Sequence, residues 1–150
     1  MNAFDIKAAL SAKHAQHPVI LHFPIALFII SVVFDVFAIW RENPAMARAA
    51  YYNLVAAAVT APVAIATGLA AWQWQLEGAR LTGNLLLHVI LALAASGMIW
   101  LLCGWRVLQR HLTESAPGVI YMVLALATVF LIAIAGHLGG ILSGVDTGST

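Results

Sequence analysis

The chain has 150 residues, enough for one domain, yet only 9% of them are charged and 63% are hydrophobic. A soluble domain averages about 25% charged residues, so this composition cannot cover a water-facing surface and lipid must be its solvent. The formal net charge of +1 suggests no nucleic-acid partner, and the single cysteine, Cys103, excludes an internal disulfide, a Cys-x-x-Cys redox pair and a covalent c-type haem site.

The first seventeen residues carry Asp5, Lys7 and Lys13 and lack an apolar core. No cleavable signal peptide is expected there, and the stretch suits a short helix lying in the membrane interface. The first spanning helix is predicted over about 18–40, with Pro18 in its first turn, where the missing N–H is harmless. Pro24 lies deeper, frees the carbonyl of Ile20 and is expected to bend the helix near His22. Trp40-Arg41-Glu42-Asn43-Pro44 reads as its end, followed by a loop over 41–49. The second span is predicted over about 50–75, with Tyr51, Tyr52, Trp72 and Trp74 at its two ends as interface belts require and a kink at Pro62. The third covers about 84–108 and ends at Trp105-Arg106. A loop with Arg110, His111 and Glu114 leads to the fourth, about 117–142, and a polar tail, 143–150, completes the chain.

Each run exceeds the roughly 20 residues, at about 1.5 Å rise each, that cross a bilayer core. Backbone polar groups in lipid must bond internally, so the spans are helices. Short connections make neighbours antiparallel, which predicts an all-α integral membrane four-helix up-down bundle forming one domain over 1–150. His22-Phe23-Pro24-Ile25-Ala26 and His88-Val89-Ile90-Leu91-Ala92 both open an apolar helix with a histidine and place an alanine four residues on. Their 66-residue offset suggests a duplicated helical hairpin.

His22 and His88 are expected about one turn inside the starts of helices one and three, and His137 about one turn before the end of helix four. In an up-down bundle all three then share one depth on one side. Intramembrane ionisable residues are costly and usually face the bundle interior. Neutral imidazoles are common ligands of metals and haem iron. Small residues lie beside two of the three: Ala133, Gly136 and Gly140 near His137, and Ala92, Ala95 and Ser96 near His88. They make room for a flat ring, or equally serve as ordinary contact surface between membrane helices, as in Gly136-x-x-x-Gly140. His17, before Pro18 at the water boundary, reads as a capping or surface residue, with a ligand role as the alternative. His14 and His111 read as solvated. No helix has a second histidine 13 or 14 residues from the first, so one haem per bundle is expected. Asp35 follows His22 by thirteen positions, about 20 Å along the axis. It reads as the partner of Arg41, Arg48 or Arg106, or alternatively as a proton-uptake residue. Asn53, Thr60 and Thr67 are expected to bond to neighbouring helices or to backbone.

His17-Pro18-x-x-x-His22-Phe23-Pro24-Ile25-Ala26-Leu27, Phe34-Asp35, Thr67-Gly68-Leu69, His88, Gly136-His137-x-Gly139-Gly140 and Gly144-Val145 together resemble a bacterial membrane family catalogued as domain of unknown function 2231. The resemblance covers nearly the whole chain. It implies a four-helix membrane protein and, because some members are fused to cytochrome-like domains, b-type cytochromes and membrane electron transfer. The family often has an aspartate shortly after the Thr-Gly pair, where this chain has Ala70-Ala71-Trp72, so a carboxylate role there does not carry over.

The leading expectation is therefore a haem b protein that passes single electrons between a quinol and a periplasmic redox partner. Its iron would be held by His88 with His137, or by His22 with His88. The rival is a zinc or copper site, or a metal-transport subunit, built from His22, His88 and His137 with His17. A third reading is a non-catalytic membrane partner whose histidines only hydrogen-bond. Arg41, Arg48, Arg106 and Arg110 cluster opposite the histidines, against Arg80 and the more distant Lys7 and Lys13 on the histidine side, and by the positive-inside rule this small excess places the histidine end outside a bacterial inner membrane. The small-residue faces permit a homodimer.

Overall fold

The computed structural model describes residues 16–75, 77–109 and 117–142. The expected interfacial helix before residue 16, His14, the loop residues Arg110, His111 and Glu114, and the polar tail lie outside the described residues. Within them the chain is four helices without strands: α1 (Gln16–Arg41), α2 (Pro44–Gln75), α3 (Gly83–Leu108) and α4 (Val119–Leu142). Each is long and apolar enough to cross a membrane. At about 1.5 Å per residue, the 26 residues of α1 reach about 39 Å, beyond the roughly 30 Å of a hydrocarbon core.

One boundary differs from the sequence expectation. Helix α2 begins at Pro44, not near residue 50, so the loop over 41–49 shrinks to a tight turn. Asn43 is the reason: its side-chain Oδ1 accepts from the Ala45 N–H at 2.9 Å, and its carbonyl accepts from Met46 and Ala47. That is an N-cap followed by proline at the first helical position, where proline fits. Glu42, at φ 49°, makes the reversal. Pro24 and Pro62 both lie inside uninterrupted helices.

Packing divides the bundle into two hairpins. Helices α1 and α2 contact each other extensively, as do α3 and α4, while contacts between the hairpins are much thinner. The core is small and central: Phe28, Leu54, Leu102 and Ala125 are fully buried, with Ile99 and Tyr121 nearly so. The outside is apolar. Phe23 is 62% exposed and Phe130 67% exposed, a surface that only acyl chains solvate favourably. The chain is thus a membrane-embedded all-α four-helix bundle.

Polar side chains tie neighbouring helices together. Ser31 Oγ donates to the Ala50 carbonyl at 2.8 Å between α1 and α2, and Trp100 Nε1 donates to the Ala58 carbonyl at 2.9 Å between α3 and α2. Carbonyls within a helix already accept one bond, and these donors use the second lone pair.

Candidate functional site

Two imidazoles are half-buried at the end of the bundle where α1 and α3 begin. His17, in the first turn of α1, has its Nδ1 3.0 Å from Thr67 Oγ1 on α2. Thr67 Oγ1 also lies 2.9 Å from the Ala64 carbonyl. A carbonyl only accepts, so the single hydroxyl proton of Thr67 goes to Ala64 and its oxygen accepts from His17 Nδ1–H. The network therefore sets the tautomer: the proton is on Nδ1 and Nε2 carries the lone pair.

His88, in the second turn of α3, arrives at the same state by a different route. Its Nδ1 donates to the Ala135 carbonyl on α4 at 2.8 Å. Again Nε2 keeps its lone pair. An Nδ1–H bonded to a carbonyl or hydroxyl, with Nε2 available, is the arrangement of a metal-ligating histidine, because the outer bond fixes the ring and raises the basicity of the free nitrogen.

Each ring also needs room on the opposing helix, and a glycine supplies it. A Cβ added at Gly68 would lie 3.0 Å from His17 Cε1, and one at Gly139 would lie 3.2 Å from His88 Cε1. The imidazoles thus lie against bare backbone of α2 and α4. The two rings are within electrostatic range of one another, one contributed by each hairpin.

The other histidines are placed differently. His22 is exposed, and its Nδ1–H is taken by the Pro18 carbonyl of its own helix. His137 is exposed on α4, whose neighbouring Ala135 and Leu138 face the core. Of the small residues beside the histidines, Ala92 and Gly140 are half-buried and Gly136 is exposed. Among the described residues, a Cβ at Gly136 or Gly140 would meet no atom within 4 Å. The structure therefore places His17 and His88 within electrostatic range of each other in the half-buried end of the bundle, while His22 and His137 are exposed. Among the described residues, no group of three or more His, Cys, Asp or Glu side chains is arranged to hold a metal ion.

Three participants are not among the site residues expected from the sequence: Thr67, Gly68 and Gly139. Thr67 was expected to bond to a neighbouring helix or to backbone, and it does both. The signal available in the sequence was the pair Thr67-Gly68 standing in α2 where Leu138-Gly139 stands in α4.

At the far end of the bundle Asp35 and Arg106 form a buried ion pair. Arg106 Nη1 donates to Asp35 Oδ1 at 3.0 Å, with side chains 5% and 1% exposed. Arg106 Nη2 donates to the Ala47 carbonyl at 3.1 Å, and the guanidinium carbon lies 5.3 Å from the centre of the Tyr121 ring. All four helices meet at this node. Asp35 Oδ2 and Arg106 Nε are buried without a hydrogen-bond partner among the described residues. Of the three arginines considered for Asp35, Arg106 is the one that pairs. Arg41 instead stacks on Trp40, 4.3 Å from its ring centre.

No curated protein and no solved structure matches this chain. One family does, described as a predicted membrane protein (DUF2231), and the match runs over residues 13–148. It spans all four helices, both histidines of the half-buried end and the Asp35–Arg106 pair, and on that match the chain belongs to the DUF2231 family of membrane proteins.

Proposed function

We propose that this protein is a membrane-embedded b-type haem protein that carries single electrons, with His17 and His88 as the two protein ligands. The observation that carries the reading is the shared tautomer. Both imidazoles hold Nδ1–H in a bond to a neighbouring helix and keep Nε2 for a ligand. Two imidazoles are the donor set of a six-coordinate haem iron, whereas zinc sites typically use three or four protein ligands. When bound, such a group supplies a one-electron couple, and the protein's part is to hold, orient and tune it. Here Thr67 and the Ala135 carbonyl orient the rings, and Gly68 and Gly139 give them clearance.

A site at the end of the bundle, near one membrane face, suits exchange with a quinol in the bilayer and a soluble redox protein at the surface. Among the described residues, Arg41 and Arg48 at the other end outnumber Arg80 at the histidine end, which favours placing the histidine end outside a bacterial inner membrane. Arg106 is neutralised by Asp35 inside the bundle and drops out of that comparison.

The test is the absorption spectrum of the protein purified from haem-replete cells, oxidised and reduced. A split alpha band on reduction is expected. It should disappear in His17→Gln and His88→Gln and persist in His22→Gln and His137→Gln. A colourless protein sinks the haem reading. Zinc or copper at one per chain, without porphyrin, would assign the same two imidazoles to a bare metal.

A further inference from the structure

His17 and His88, Gly68 and Gly139, and Asp35 and Arg106 are each 71 residues apart. At this spacing Val36 matches Val107, Ala56 matches Ala127 and Ala64 matches Ala135. Burial follows the same register. Phe28 and Ile99, Ala50 and Tyr121, Leu54 and Ala125, and Ala57 and Thr128 are all buried in pairs. The repeat expected at 66 residues, anchored on His22, is thus replaced by one anchored on His17. The two positions differ by five residues, about 140° around a helix at 3.6 residues per turn, so they face different neighbours.

Because α1 and α3 run the same way, the two hairpins are related by a rotation about an axis along the bundle, the arrangement of parallel membrane repeats. His17 and His88 are then equivalent residues on either side of that axis, within electrostatic range of each other. Asp35 and Arg106 are equivalent too, eighteen positions further along each helix, about 27 Å away. Like residues at such a position would repel across the axis. Opposite charges make the two hairpins complementary, at a place where all four helices meet.

We propose that the chain is two equivalent hairpins and that Asp35 and Arg106 are positioning residues, setting the register between the hairpins and with it the approach of His17 to His88. This rests on His17 and His88 forming one shared site. Contacts between the hairpins are thin, so a charged, hydrogen-bonded pair that spans them has unusual leverage over their relative placement. The equivalence also makes the charges exchangeable. In Asp35→Arg/Arg106→Asp, the guanidinium introduced at position 35 meets the carbonyl of Gly118, which stands where Ala47 stands in the first hairpin.

The experiment measures the distance between hairpins at the histidine end without any cofactor. Val19 and Ile90 are equivalent positions, 61% and 52% exposed. Spin labels at Val19→Cys and Ile90→Cys, in the full chain with Cys103→Ala, report that distance by pulsed dipolar spectroscopy. A single narrow distance is expected, lost in Asp35→Asn and in Arg106→Gln, and restored in the charge swap. Unchanged distances in the single variants overturn the proposal. If the single variants do not fold, the swap decides: recovery of the narrow distance supports it, and failure to recover overturns it. Absorption spectra on the same samples separate this outcome from the haem reading, since the distance is set whether or not haem is present.

Discussion

Asp35 Oδ1 accepts a hydrogen bond from Arg106 Nη1 at 3.0 Å, although the two residues lie on different hairpins. Both are almost completely buried, and each keeps one polar atom unpaired, Asp35 Oδ2 and Arg106 Nε. Breaking such a pair by removing one partner leaves an uncompensated charge and costs about 3–5 kcal/mol, whereas replacing both by apolar groups of similar volume is often neutral. Asp35→Ala is therefore expected to be severely destabilised in detergent unfolding, and Asp35→Leu/Arg106→Met to lie near the parent. A double variant as unstable as the single would show that the pair stabilises the fold beyond satisfying its own charges.

The glycines differ in what surrounds them. At Gly68 and Gly139 an added methyl meets an imidazole at 3.0 and 3.2 Å, while at Gly97 and Gly104 it meets nothing within 4 Å. Gly68→Ala and Gly139→Ala are expected to cost about 1–3 kcal/mol, the usual range for overpacking. Gly97→Ala and Gly104→Ala should be neutral or stabilising by up to about 1 kcal/mol, since alanine is the better helix former. Melting temperatures of the four variants check the contrast, and equal effects would refute it.

Thr67 acts on His17 through one oxygen. Thr67→Val removes that acceptor while keeping the shape, and leaves a half-buried imidazole N–H without its partner, a loss of about 1 kcal/mol. Thr67→Ser restores it. Nitrogen-15 NMR of labelled histidine is expected to show His17 protonated on Nδ1 in the parent and in the serine variant, and a mixed tautomer in the valine variant. A parent protonated on Nε2 would overturn the assigned direction of the bond.

The start of α2 depends on Asn43, whose side chain bonds the Ala45 N–H. Asn43→Ala is expected to cost about 1 kcal/mol, and Asn43→Asp or Asn43→Ser to cost less. Hydrogen exchange at Ala45 to Ala47 is the direct readout. Unchanged protection in the alanine variant would mean that the turn from α1 holds this end without the cap.

Much of the fold was legible before any coordinates. A chain with so few charges must be solvated by lipid, and runs of that length in lipid must be helices, so the number of spans and their up-down order follow from composition and length. The start of α2 is ambiguous in the sequence, because Pro44 reads as a stop for α1 while an asparagine before a proline is equally a start. Asp35 could be recognised as needing an arginine, but three candidates lay at its depth and only packing selects Arg106.

Which histidines meet was a different kind of question. Helices that are apolar on nearly every face carry little record of which side turns inward. His17 looked like a boundary residue because it precedes a proline near water, and His22 looked internal because it lies deeper. Rotation about the helix axis reverses this. Phe28, Ser31 and Asp35 face inward on α1, and His17 reaches Thr67 on α2 while the exposed His22 bonds a carbonyl of its own helix. Depth is set by position along the chain and is written in the sequence. Facing is set by how side chains of separate helices interlock, and that exists only once the helices have packed.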